Sequence, residues 1–171
     1  MKLRYSLALG IPLVSASAMG ADLTLKLDIP QLNVAEYHRP YVAVWIETPD
    51  QKALTTLSVL YDVRKKDNGG AKYLKDIRQW WRKTGREMSM PMDGISGATR
   101  SPGEMTLTFP GARVALDKLP PGQYDVVVEV AREAGGRELV RVPFQWPPKT
   151  AASVAAAGKE EVGAIAVMLK P

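Results

Sequence analysis

Cysteine is absent from this 171-residue sequence, and histidine occurs once, as His38. Without thiols the chain forms no disulfide, iron–sulfur cluster, thiolate zinc site or c-type haem attachment. A single imidazole excludes a histidine-rich metal centre. Any Ser–His–Asp triad would have to use His38, and a lone histidine is more often a packing or hydrogen-bonding residue. Long apolar runs are missing too. The stretch Leu7–Val14 falls far short of the ~20 residues that span a bilayer. Strong charge of either sign is also lacking, since the formal net charge is +5.

What is present begins with an export signal. Lys2 and Arg4 precede the apolar run, and Ala16-Ser17-Ala18 and Ala18-Met19-Gly20 offer the small residues a signal peptidase reads. Residues 1–20 therefore read as a signal peptide cleaved before Ala21, leaving 21–171 as one domain in the periplasm. Loss of Lys2 and Arg4 lowers the charge to +3. With export, that argues against nucleic acid as a partner. About 150 residues are enough for one domain with a proper core.

The mature chain is mostly of period two. Leu23, Leu25, Leu27 and Ile29 alternate with polar residues, Leu57, Val59, Tyr61 and Val63 continue the period, Met105, Leu107 and Phe109 alternate with threonines, and Tyr124, Val126, Val128 and Val130 form a further strand. Tyr41–Thr48 is apolar on both faces, which predicts a central strand with Trp45 in the core. Ala134-Gly135-Gly136 predicts a hairpin turn into Leu139–Phe144, and Ile165, Val167 and Leu169 form a last strand. Residues 147–162 read as a surface excursion. Seven or so strands with Pro/Gly turns predict an all-β fold, an immunoglobulin-like antiparallel β-sandwich. The turn Pro120-Pro121-Gly122 ahead of Tyr124 points the same way.

One segment departs from this pattern. Tyr73, Leu74, Ile77, Trp80 and Trp81 follow helical spacing, with Gly85 as the stop, and predict one short amphipathic helix. Nine basic residues lie between Arg64 and Arg86, against Asp67 and Asp76. Such a helix caps one end of the sandwich with its charges in water. Its aromatic residues are alternatively suited to lie against a planar ligand, and nearby cations to pair with a phosphate.

Directly after it comes Asp93-Gly94-Ile95-Ser96-Gly97-Ala98-Thr99. Met90-Pro91-Met92 before it and Ser101-Pro102-Gly103 after it are turn formers, so the motif reads as a loop. Gly97 and Ala98 remove bulk beside the Thr99 hydroxyl, and Asp93 is placed either to orient the loop or to assist a metal ion. The heptapeptide resembles the acceptor motif Asp-x-x-(Ser/Thr)-Gly-Ala-Thr of proteins that carry FMN covalently on threonine, matching at Asp93, Ser96, Gly97, Ala98 and Thr99. That resemblance implies a phosphoester between Thr99 and FMN, made by an FAD-dependent flavin transferase, with Tyr73, Trp80, Trp81 and Arg100 as possible flavin contacts.

Most of the mature chain is similar to a family of predicted periplasmic proteins, domain of unknown function 2271. The likeness is carried by His38-Arg39-Pro40-Tyr41-Val42-Ala43-Val44-Trp45-Ile46-Glu47, Lys72-Tyr73-Leu74, Trp80-Trp81, Ser96 to Gly103, Leu119 to Tyr124 and Glu129 to Glu133. It implies an extracytosolic electron-transfer flavoprotein rather than an enzyme. Its expected partners are the transferase and a membrane reductase of the PepSY type. The alternative is a flavin-free binding module of the cell envelope, a role that sandwiches of this kind often host. A hydrolase using His38 ranks third.

Overall fold

The computed structural model describes residues 20–111 and 116–171. The expected signal peptide therefore lies outside the described residues. Two sheets stack face to face. The first has the order β5 (Gly103–Pro110), β1 (Asp22–Ile29), β9 (Ala164–Lys170), β8 (Ala152–Ala157). The second runs β4 (Ser96–Ala98), β3 (Ala53–Tyr61), β2 (Tyr41–Glu47), β6 (Gly122–Ala131), β7 (Arg137–Trp146). The all-β sandwich expected from the alternating pattern is the observed architecture.

Between the sheets the alternating residues interlock. Leu23, Leu25, Leu27 and Ile29 of β1 meet Val42, Val44 and Ile46 of β2, Val126, Val128 and Val130 of β6, and Ile165, Val167 and Leu169 of β9. Each such side chain contributes about 1.5–3 kcal/mol when fully buried. The Tyr124 hydroxyl donates to the Pro120 carbonyl at 2.7 Å, a contact similar to the tyrosine corner of immunoglobulin-like sandwiches.

Strand β2 is apolar on both faces because both are covered. A second core forms on the outer face of the five-stranded sheet, where Ala43, Trp45, Val59, Tyr61 and Val127 pack under Leu74, Ile77 and Trp80. Trp45 belongs to this outer core rather than to the space between the sheets.

The covering layer is not the single helix expected. Lys66–Asp76 is a run of 3-10 turns interrupted by positive φ at Asp67 and Asn68. Ile77 (φ −77, ψ 74) then breaks the path, and only Arg78–Lys83 is α-helical, here α1. Gly85 does not end the helix through a left-handed cap; Thr84 is the C-cap. Glycine is required at position 85 because a Cβ there would lie 2.5 Å from the Trp80 ring.

Two buried glutamates hold this layer to the sheet. Glu129 accepts both Gln79 N–H (3.0 Å to each oxygen) and Trp80 N–H (2.9 Å) at the start of α1, and pairs with Arg137 at 2.7 Å. Glu47 takes Lys83 at 2.7 Å near the other end of α1, together with Trp45 Nε1 (2.9 Å) and Arg141 Nε (3.1 Å). Burial works to raise the Glu47 carboxyl, but hydrogen bonds from Lys83, Trp45 and Arg141 outweigh it and hold the pKa below the ordinary value.

Three further expectations are corrected. Residues 147–162 contain β8, which pairs antiparallel with β9, so the described residues hold nine strands. Val63 lies beyond β3, which ends at Tyr61. The sheet is also not purely antiparallel, because β4 runs parallel to β3.

Candidate functional site

Asp93–Thr99 is only half a loop. Met92 through Ile95 form a tight turn in which Ser96 Oγ accepts the Met92 N–H at 2.8 Å and the Met92 carbonyl accepts Ser96 N–H at 2.9 Å. Gly94 takes φ +73 there, a conformation glycine adopts freely. The chain then enters β4. Ile95 O accepts Val59 N–H at 2.9 Å, and Thr99 N–H donates to Tyr61 O at 3.2 Å, so the parallel ladder reaches Thr99 itself. The expected loop is thus an edge strand, because its backbone groups find partners on β3.

Each motif residue acquires a local reason. A Cβ on Gly97 would come within 2.8 Å of Leu60 Cδ2, so glycine lets β4 lie close against β3. Ser96 closes the turn. Asp93 is exposed, and its Oδ1 accepts the Gly94 N–H at 3.0 Å. Thr99 is half-buried, and its hydroxyl makes no hydrogen bond among the described residues.

Strand register explains what surrounds that hydroxyl. Leu60 pairs with both Gly97 and Val42, and Tyr41 pairs with Ala131. The end of β4, the end of β3, the start of β2 and the end of β6 therefore meet at one end of the sandwich. Thr99 sits there between two depressions. One, of about 470 Å³, is lined by Arg39, Thr99, Arg100, Ser101, Glu104 and neighbouring β5 residues. The other, of about 290 Å³, is lined by His38, Arg39, Tyr41, Lys65, Thr99, Asp62 and Glu133.

Tyr41 and Tyr73 give this end an aromatic side. The Tyr41 hydroxyl donates to Gly70 O at 3.1 Å, which ties the 3-10 segment to β2. Burial raises the Tyr41 phenol above its ordinary pKa, so it remains a neutral donor. Lys65 Nζ lies 4.6 Å from the Tyr73 ring centroid, a cation–π contact. His38 Nε2 is 3.2 Å from Glu36 and its Nδ1 is 4.0 Å from Glu133.

The residues singled out in the sequence separate here. Thr99 and Arg100 share one depression. Tyr73 lines a small adjoining recess with Arg39 and Tyr41. Trp80 is fully buried and donates from Nε1 to Thr56 Oγ1 at 3.0 Å, which leaves it no surface for a ligand. Trp81 is half-buried against the outer core and lines neither depression beside Thr99. Arg39, Lys65 and Glu133 lie at the site without having been picked out. No local motif marks Arg39, whose place beside Thr99 is set by the pairing of β2 and β4 with β3. Among the described residues no group of three His, Asp or Glu side chains is placed to hold a metal ion.

A family model described as "Predicted periplasmic protein (DUF2271)" matches residues 22–164. No curated protein and no solved structure matches the chain. No helix among the described residues is long and apolar enough to cross a membrane.

Proposed function

This chain belongs to the DUF2271 family of predicted periplasmic proteins, and on that premise we propose that it is an exported electron-transfer flavoprotein carrying FMN on Thr99. The observation that carries the reading is the Thr99 hydroxyl. It is accessible, unbonded among the described residues, and rooted at the end of a hydrogen-bonded strand. An acceptor for a group transferred by a second protein benefits from all three, because a held backbone positions a hydroxyl that is free of internal partners.

In the transfer, Thr99 Oγ1 forms a bond to the FMN-side phosphorus of FAD. The pyrophosphate P–O bond breaks, AMP leaves with the electron pair, and the threonine proton passes to a base of the FAD-dependent transferase. Exposed Asp93 and the narrow Gly97–Ala98 segment present the acceptor strand to that enzyme. The surrounding residues suit the product: Arg39, Arg100 and Lys65 supply cations for a phosphodiester, and Tyr41 and Tyr73 supply aromatic surface. A bound flavin contributes the redox chemistry, while the protein contributes position and charge. A membrane reductase of the PepSY type is the expected electron partner.

Intact mass and peptide mapping of the chain, exported together with an active transferase, test this reading. One FMN phosphoester is expected on the Thr99 peptide and none in Thr99→Ala. An adduct persisting in that variant, or no adduct on the unaltered chain, removes the assignment.

A second reading, a flavin-free binding module, is favoured by one observation. An apolar groove of about 920 Å³ opens between the edges of β7 and β8, lined by Phe144, Trp146, Pro147, Pro148, Val154 and Leu169 among others. It predicts a colourless protein even when the transferase is present.

A further inference from the structure

Two depressions meet at Thr99 and a smaller recess adjoins them, and Arg39 lines all three. The other cations at this end are engaged or peripheral. Lys65 lies over the Tyr73 ring. His38 stands between Glu36 and Glu133. Arg100 borders only the larger depression. The carboxylates of Asp62, Asp76, Glu104 and Glu133 share the clefts, yet among the described residues none comes within ion-pair distance of Arg39.

The root of Arg39 is nevertheless well held. Pro40 is buried behind it, and Tyr41 opens β2 with its hydroxyl fixed on Gly70 O at 3.1 Å. Arg39 itself is exposed, and a planar guanidinium with no internal anion to satisfy it matches two phosphoryl oxygens better than a point charge does. Arg39 and Thr99 lie 60 positions apart in the chain, just before β2 and just after β4, and are brought to one end by the shared neighbour β3.

We propose that Arg39 makes the Thr99 end of the sandwich an anion site, gripping the phosphoryl oxygens of a phosphodiester or pyrophosphate beside Thr99 Oγ1. The site stands on the geometry; the identification of its ligand as the FMN phosphate rests on the flavoprotein reading. During transfer Arg39 would face the FAD pyrophosphate, so the acceptor chain itself supplies a cation to the reacting phosphate. After transfer it would hold the phosphodiester and limit the swing of the attached group.

The test uses the full mature chain made without transferase, titrated with inorganic pyrophosphate at low salt and followed by amide and arginine side-chain NMR. Saturable shifts are expected at Thr99, Arg100 and the Arg39 Nε–H. Arg39→Gln should weaken binding by about tenfold or more, equivalent to one lost charge-assisted pair of about 1.4 kcal/mol. Arg39→Lys should recover only part of it, since a lysine keeps the charge but not the fork. Lys149→Gln, at the far end of the sandwich, should bind as the parent does. Absence of saturable binding overturns the proposal. So does an unchanged affinity in Arg39→Gln, or an equal loss in Lys149→Gln, which would mean general charge attraction. The mass of the Thr99 peptide is read separately. Arg39-dependent pyrophosphate binding without any flavin adduct would retire the flavoprotein reading and keep the anion site.

Discussion

Glu129→Ala should loosen the helical layer from its sheet, and the size of the effect follows from the contacts of one side chain. Helix α1 has no side-chain cap of its own. Glu129, near the end of β6, takes that role by accepting the Gln79 and Trp80 N–H groups at 2.9–3.0 Å. Losing an N-cap costs about 0.5–2 kcal/mol. Leaving a buried N–H without a partner costs about 1–3 kcal/mol, and Trp80, being fully buried, cannot turn its amide to water. Arg137 is 37% exposed, so it re-solvates when the carboxylate goes and adds little. The two figures overlap, since both count the hydrogen bonds lost with the carboxylate, so the total is about 2–4 kcal/mol. For a domain of this size each kcal/mol moves Tm by about 2–4 °C, so a fall of roughly 5–15 °C is expected. Urea denaturation measures the global loss, and Glu129→Gln, which keeps one acceptor oxygen and the volume, should lose about half as much. Hydrogen exchange supplies the local readout: the Gln79 and Trp80 amides should lose protection well beyond the global change. An unchanged denaturation midpoint, or exchange that rises uniformly, refutes the reasoning.

Two pH-dependent outcomes follow from the outer face of the same sheet. Asp125 pairs in register with Glu47. Burial, opposed by Arg141 and reinforced by Glu47, raises its pKa. A carboxyl with a raised folded pKa costs stability once ionised, so Asp125→Asn should raise Tm at pH 7, and the gain should vanish below about pH 4, where the unfolded carboxyl is also protonated. A variant no more stable at pH 7 than at pH 3.5, relative to the parent, contradicts this. Glu47 has the opposite sign: its lowered folded pKa contributes stability that is present above the unfolded value and lost as pH falls through the folded one. Glu47→Gln should therefore be less stable at pH 7 and show a shallower acid limb. An acid-unfolding curve parallel to the parent's would show that Glu47 does not drive that limb.

Patterns with a strict period were readable, and features set by distant strands were not. The alternation of β1 and the two-faced apolarity of β2 carry their burial in the residues themselves. The helical spacing of Tyr73 to Trp81 misleads because the chain is wound as 3-10 turns up to Asp76 and Ile77 breaks the path; packing against Trp45 and Tyr61 orders that layer. Strand β8 escapes because Ala-Ser-Val-Ala-Ala-Ala has weak strand preference and is held by pairing with β9. Thr99 could be picked out by its local motif. Arg39 could not, since its neighbourhood to Thr99 depends on two successive registers through β3. Glu47 and Glu129 stand inside apolar runs, and only the covering layer explains why charge belongs there.

The geometry of β6 also separates the two functional readings. This strand runs from Gly122, paired with Trp146 beside the apolar groove, to Ala131, paired with Tyr41 beside the Thr99 site. Ten residues at about 3.3 Å each place the two features roughly 30 Å apart. A partner seated wholly in the groove therefore cannot also touch a group attached to Thr99. The end that holds Thr99 is polar, with Arg39, Arg100 and Lys65 set among carboxylates, and it is Arg39 there that suits a phosphate and a partner approaching it. The groove is apolar, suited to a protein contact that needs no phosphate chemistry. If the chain carries electrons, the redox partner's footprint must cover the ends of β2, β3 and β4. A footprint confined to the edges of β7 and β8 would instead make the groove the working surface.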